Sequence, residues 1–183
     1  MLFRSRNIMT PGPADQVESA AYFTARQPGR RLSERGDVLV YQTEPLAEPV
    51  EVTGRGVVRL RIASSAADTD FTAKLIDVYP PNEDYPDGYD MLINDSIIRC
   101  RYRNGFEREE LMEPGREYEV TIHLPPTSNL FAAGHRIRID VSSSNFPRLE
   151  RNPNTGEPIG RHTRLVTAEQ TVFGGTVELP VIP

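Results

Sequence analysis

Short runs of alternating apolar and polar residues, each closed by a turn, constrain this chain more than any other feature. Tyr118, Val120, Ile122 and Leu124 interleave with Glu119, Thr121 and His123. Ile137, Ile139 and Val141 interleave with Arg136, Arg138 and Asp140. Val58, Leu60 and Ile62 fall on one face, with Val57, Arg59 and Arg61 on the other. Successive side chains of a β-strand point to opposite faces, so a two-residue period predicts strands with one face buried. Phe71 to Tyr79 is apolar on both faces, as expected of a central strand covered on both sides. Sixteen prolines and thirteen glycines separate the runs. Turn signals recur about every ten residues, the rhythm of an all-β sandwich.

The remaining segments extend this pattern. Val38 to Tyr41 and Val50 to Thr53 read as short strands, as do Met91 to Ile93 and Ile97 to Tyr102. Leu165 to Phe173 and Val177 to Ile182 flank the breaker Gly174-Gly175. Residues 80–90 form a long acidic loop, and Phe106 to Met112 suggests one helical turn ended by Pro114-Gly115. Residues 1–36 hold no sustained period and read as an irregular N-terminal segment, in which only Asp15 to Ala25 suits a short helical turn or strand. Residues 37–183 then make one domain of about eight or nine strands, expected to be a jelly-roll β-sandwich. An immunoglobulin-like sandwich is the alternative, disfavoured by the missing tryptophan and the single cysteine.

Composition narrows the function. A net charge of −5 argues against nucleic acid as a partner, since that affinity needs a concentrated basic patch. No apolar run approaches the roughly 20 residues that cross a bilayer, so no membrane partner is expected. Met1 to Arg6 lacks the apolar core of a secretion signal, which makes the cytoplasm the default and leaves secretion of a longer parent open. Cys100 is the only cysteine, so no internal disulfide forms; a buried structural thiol is expected.

Chemistry is hard to find. None of the serines lies in the G-x-S-x-G turn that an α/β-hydrolase nucleophile needs, and S-x-x-K is absent. His123, His135 and His162 are expected to be surface or loop residues with no nucleophile to serve. H-E-x-x-H is absent, one cysteine cannot build a zinc site, and the acidic loop departs from the calcium-loop spacing, so no cofactor or metal is expected. A carbohydrate- or peptide-binding module remains the alternative: sugar sites favour exposed tryptophan, for which Tyr79, Tyr85 and Tyr89 could substitute.

The literal string from Gly134 to Gly156, GHRIRIDVSSSNFPRLERNPNTG, resembles the C-terminal β-domain of the X-Pro dipeptidyl-peptidase and cocaine esterase family of serine hydrolases. Other pieces resemble the same domain in order: Asp37 to Tyr41, Asp68 to Pro80, Ile97 to Arg103, Thr127 to Arg138 and Leu179 to Pro183. The resemblance implies a galactose-binding-like jelly roll lacking its N-terminal portion. It also implies partners within one enzyme, an α/β-hydrolase catalytic domain and a helical cap, both absent here. It further implies that the chain is a fragment without a triad, closing the substrate pocket and bracing a domain that carries dipeptidyl-peptidase or acyl-esterase activity. By the same resemblance Asp68, Asp70 and Phe71 would line the substrate pocket, against the plainer view that Phe71 starts the core. Ser144, Asn145, Phe146 and Arg148 would belong to a domain-interface loop, within Ser142 to Arg148. A missing edge strand would leave backbone unpaired and favour self-association.

Overall fold

A computed structural model describes residues 2–5, 32–146 and 148–183. Its strands are β1 (Leu2–Ser5), β2 (Leu39–Gln42), β3 (Val50–Ser64), β4 (Asp70–Tyr79), β5 (Tyr89–Arg99), β6 (Tyr118–Phe131), β7 (Arg136–Ser142), β8 (Ala168–Glu178) and β9 (Val181–Ile182). One sheet runs β1-β8-β3-β6, with β9 also on β3; the other runs β2-β7-β4-β5. Every pairing is antiparallel. Among the described residues there is no α-helix, and the architecture is the expected all-β sandwich.

The inner faces follow the two-residue period. Phe71, Ala73 and Leu75 of β4, with Ile139 and Val141 of β7, pack against Val58, Leu60 and Ile62 of β3 and Val120, Ile122 and Leu124 of β6. The outer face of the second sheet is buried as well. Thr72, Lys74 and Ile76 of β4, Asp95 of β5, and Arg138, Asp140 and Ser142 of β7 all lie there with little exposure. β4 is therefore covered on both sides from Asp70 to Asp77, as its continuous apolar run predicts.

Several strands are longer than their sequence signals. Gly54 to Gly56 does not end a strand: β3 runs through it with a register shift between Arg55 and Val57. Gly54 adopts φ +135°, a conformation open to glycine, and still pairs opposite Thr127, while Gly56 falls at the bulge, so the breaker stays inside the ladder. Gly174-Gly175 is likewise absorbed in β8, and the two short signals around Asn94 merge into β5 with a shift opposite Leu75/Ile76. Pro125 and Pro126 lie within β6, an edge strand, where a missing N–H costs no ladder bond.

Two local expectations change. Cys100 to Tyr102 leave the strand and form one turn of 3-10 helix, with Cys100 buried. Phe106 to Met112 form no helical turn, because their backbone bonds outward: Glu110 N donates to Arg101 O at 2.8 Å and Met112 N to Ala67 O at 2.7 Å. At the N-terminus, Leu2–Ser5 pair with β8 from Leu2↔Thr171 to Ser5↔Ala168. The expectation for Asp15 to Ala25 lies outside the described residues.

Candidate functional site

One end of the sandwich gathers the start of β4, the end of β5, the 3-10 turn and the long segment after β7. These connections are irregular, so their polar groups must be satisfied by side chains. Asp68, just before β4, does much of this. Its Oδ1 accepts from Arg101 N at 2.9 Å, and its Oδ2 accepts from Arg101 Nε at 2.8 Å and Asn152 Nδ2 at 2.9 Å. Asn152 Nδ2 also donates to Asp70 Oδ1 at 2.8 Å, bridging the two carboxylates. Asp70 takes a two-pronged contact from Arg99, Nε to Oδ1 at 3.0 Å and Nη2 to Oδ2 at 3.1 Å. Arg101 completes its fork with Glu109 Oε2 at 3.0 Å and Glu157 O at 2.9 Å. A guanidinium offers five donors in a rigid plane, which suits it to tie three loops at once. Burial pushes the Asp70 carboxyl above the usual carboxylate range; the Arg99 fork and the Asn152 amide oppose that, and the Asp68 charge adds to it.

Beside this lattice lies an open groove of about 350 Å³, lined by Asp70, Ile97, Arg99, Phe106, Leu149 and Ile159, among others. Phe106 is 81% exposed and Ile159 about half exposed. Apolar side chains thus collect where the loops meet, around a polar floor held rigid from beneath.

A second polar set sits on the outer face of the β4 sheet. Lys74 Nζ donates to Asp95 Oδ2 at 3.1 Å and to Asn145 Oδ1 at 2.8 Å, while Asn145 Nδ2 donates to Asp95 Oδ2 at 2.5 Å. Arg148 reaches Asp95 Oδ1 from solvent. Thr72 and Ser142 share a hydroxyl bond of 2.7 Å, and the Arg151 guanidinium lies 5.1 Å from the Phe146 ring centroid. Burial pulls the Lys74 ammonium below the ordinary lysine value, with the Asp95 charge opposing. Burial acts to raise Asp95, but the Lys74 charge and the Asn145 and Lys74 hydrogen bonds outweigh it and hold this carboxyl below its usual range.

The expected residues therefore fall into two groups. Asp68, Asp70 and Phe71 lie together at the start of β4, exposed by 0%, 1% and 0%. In this chain Phe71 packs in the core, while Asp70 contributes to the groove wall. Ser144 and Asn145 are buried over the second sheet, Phe146 is half-buried, and the Arg148 side chain is 60% exposed. The sequence reading missed Lys74, Asp95, Arg99, Arg101 and Asn152. The one available signal was a lysine or arginine inside an apolar strand pattern, which demands a buried partner.

The histidines stand apart from the serines. His123 is exposed, His162 lies in the loop past the lattice, and His135 Nδ1 bonds Asp77 Oδ1 at 2.8 Å. Among the described residues no serine hydroxyl hydrogen-bonds an imidazole. Cys100 is buried, and burial raises its thiol well above the ordinary value, with the Asp68 and Asp70 charges adding to this. Tyr79, Tyr85 and Tyr89 do come together, but Tyr85 and Tyr89 stack on each other at 4.6 Å.

Comparison with known proteins bears on the same region. A family model described as the X-Pro dipeptidyl-peptidase C-terminal non-catalytic domain matches residues 8–176. The chain is 44% identical over 178 residues to the cocaine esterase of Rhodococcus sp. (strain MB1 Bresler), covering 93% of this chain and 28% of that protein. An α-amino acid ester hydrolase structure superposes with a TM-score of 0.83 at 30% identity, covering all of this chain and 32% of that one. An aminopeptidase from a marine sediment Thaumarchaeota archaeon gives a TM-score of 0.83 at 32% identity, covering 33% of its length. The chain thus spans about a third or less of each.

Proposed function

The chain belongs to the family of X-Pro dipeptidyl-peptidase C-terminal non-catalytic domains, and on that premise we propose that it braces an α/β-hydrolase domain and walls one side of its substrate pocket. The observation that carries this reading is the apolar rim around the groove, Phe106 and Ile159 above all, mounted on the buried Asp68–Arg101–Asn152–Asp70 lattice. Exposed apolar side chains clustered over a rigid polar floor are what a domain interface requires. In this reading Asp68 and Asp70 act by holding Arg99 and Arg101. Phe71 sets the strand start beneath the groove, and the loop from Ser142 to Arg148 fixes the neighbouring edge. Esterase or dipeptidyl-peptidase chemistry belongs to the intact enzyme, whose nucleophile lies outside this chain.

The test is a chimera in which this chain replaces the matching region of the Rhodococcus cocaine esterase. The isolated chain is expected to leave chromogenic Xaa-Pro and acyl-ester substrates untouched, and the chimera to hydrolyse acyl esters. Phe106→Asp with Ile159→Asp in the chimera is expected to abolish turnover while the isolated double variant melts normally. Hydrolysis by the isolated chain, or a chimera indifferent to both charges, would defeat the proposal.

A further inference from the structure

The turn after the 3-10 helix carries a chemistry that neither the lattice nor the groove uses. Asn104-Gly105 is the only place in the chain where glycine follows asparagine. The other described asparagines stand in stiffer settings. Asn94 and Asn129 lie within β5 and β6, Asn145, Asn152 and Asn154 are buried, and Asn82 precedes Glu83. Asn104 is exposed. Gly105 adopts φ +129°, a region that residues with a Cβ rarely enter, so the amide that follows Asn104 is unshielded by a side chain of its own.

Few bonds hold this turn. Gly105 N donates to Tyr102 O at 3.1 Å, and Asn104 Nδ2 donates across the loop to Glu110 Oε2 at 2.7 Å. Glu110 Oε1 also accepts from Arg108 Nε at 2.7 Å, and Glu110 N donates to Arg101 O at 2.8 Å. Glu110 therefore closes the neck of the loop whose tip is Phe106. The Asn104 bond is the largest influence holding the Glu110 carboxyl below its usual range. The Phe106 ring leans on Tyr102, with centroids 5.5 Å apart, and Tyr102 Oη donates to Glu109 Oε1 at 2.8 Å.

We propose that Asn104 is a self-modification site, whose conversion to aspartate or isoaspartate undoes the Asn104–Glu110 latch and frees the Phe106 loop. Gly105 N gives its proton to solvent base and bonds to Asn104 Cγ. The Cγ–Nδ2 bond breaks, and the amide nitrogen takes a proton from water and leaves as ammonia. Water then adds to either carbonyl of the cyclic imide and opens it, so the balance is water in and ammonia out. Opening at one carbonyl gives aspartate; opening at the other gives isoaspartate, with a longer main chain. Either product sets a carboxylate where an amide donor stood, facing the Glu110 carboxylate, and like charges at that distance repel. The rotation that brings Cγ to Gly105 N must first break the bond to Glu110, so the latch delays the reaction that destroys it. Phe106 also forms the rim of the groove, so the conversion would switch that site off. This consequence rests on the bracing reading; the chemistry does not.

The test incubates the isolated chain at mildly alkaline pH and follows intact mass, peptide maps and labelling by an isoaspartyl methyltransferase. Exchange of amide for acid is expected at Asn104 ahead of every other described asparagine. Its rate should rise about tenfold per pH unit, as deprotonation of a backbone amide requires. Glu110→Ala is expected to speed the conversion about threefold or more, the worth of one hydrogen bond, and Asn104→Gln to leave the position unmodified. Asn104→Asp is expected to speed hydrogen exchange at Gly105 and Glu110 by about tenfold while the sandwich still melts cooperatively. Asn104 staying intact while another asparagine converts would overturn the proposal. So would a conversion rate indifferent to Glu110→Ala, or unchanged exchange in Asn104→Asp. A chimera indifferent to Phe106→Asp defeats the bracing role without touching these readouts.

Discussion

Lys74 offers the sharpest test of how the second sheet and the Ser142 to Arg148 loop are held. It is the only lysine in the chain, and its ammonium lies 3.1 Å from Asp95 with both side chains nearly inaccessible. At that distance and an effective dielectric of about 20, the attraction is about 5 kcal/mol. Desolvation of two buried ions costs several kcal/mol each, so the pair itself nets little. Removing one partner is different, because it strands the other. Lys74→Met should leave the Asp95 carboxylate with only Asn145 and the largely exposed Arg148. We expect a loss of about 3 kcal/mol, the lower end for a broken buried pair, because Arg148 remains. For a chain of this size that is a fall in Tm of roughly 6–12 °C. Lys74→Met with Asp95→Leu removes both charges and should lose about 2 kcal/mol less than the two single losses added. Urea melts of all four proteins give the coupling. Simple additivity, or a Lys74→Met loss under about 1 kcal/mol, would refute the claim that this pair is closed to solvent and locks the loop.

Three further outcomes follow from the same contacts. Phe71→Ala should cost about 3–5 kcal/mol in urea denaturation with the m-value unchanged, as a core cavity does; a loss under about 1 kcal/mol would mean the ring faces outward instead. Asn152→Ala should cost about 1–3 kcal/mol by leaving Asp68 and Asp70 facing each other without the bridging amide, and Asn152→Asp should cost more at neutral pH, as thermal melts would register. Asp140 is raised by burial from 3.8 to about 6, against the Arg138 charge. A carboxyl raised on folding gives its full stabilising contribution below 3.8, and that contribution is lost as pH climbs through 6. The wild type should therefore lose roughly 3 kcal/mol relative to Asp140→Asn over that interval, at about 1.36 kcal/mol per pH unit. A difference between the two that stays flat across the interval would show that Asp140 does not titrate on folding.

The sandwich was legible because its signals are local. Alternation over Tyr118 to Leu124 and over Arg136 to Val141 marks strands whose inner residues do form the core, and the double-sided run from Phe71 marks the strand buried on both faces. Glycine misled in two places for one reason. Gly54 and the Gly174-Gly175 pair are breakers when read along the chain, yet the neighbouring strands hold them in register, Gly54 opposite Thr127 and Gly174 and Gly175 opposite Arg61 and Leu60, with the bulges beside them inside continuous ladders. Cooperative pairing across the sheet overrides local turn propensity, and no local rule reports which glycine has a partner.

The charged lattice was illegible for the opposite reason. Asp68 meets Arg101 and Asn152 across 33 and 84 positions, and Lys74 meets Asn145 across 71. Nothing in the spacing announces these pairs, because irregular loops have no period. Physical necessity still implies them. A loop without its own ladder must satisfy its backbone and its buried charges with whatever side chains arrive at the same place. The shape of the groove is therefore written in a few long-range contacts. It should also be the first property to fail when one of them is cut, before the sandwich beneath it melts: the strands keep their own hydrogen bonds when Arg101 or Asn152 is lost, whereas the loops that carry Phe106 and Ile159 depend on those side chains.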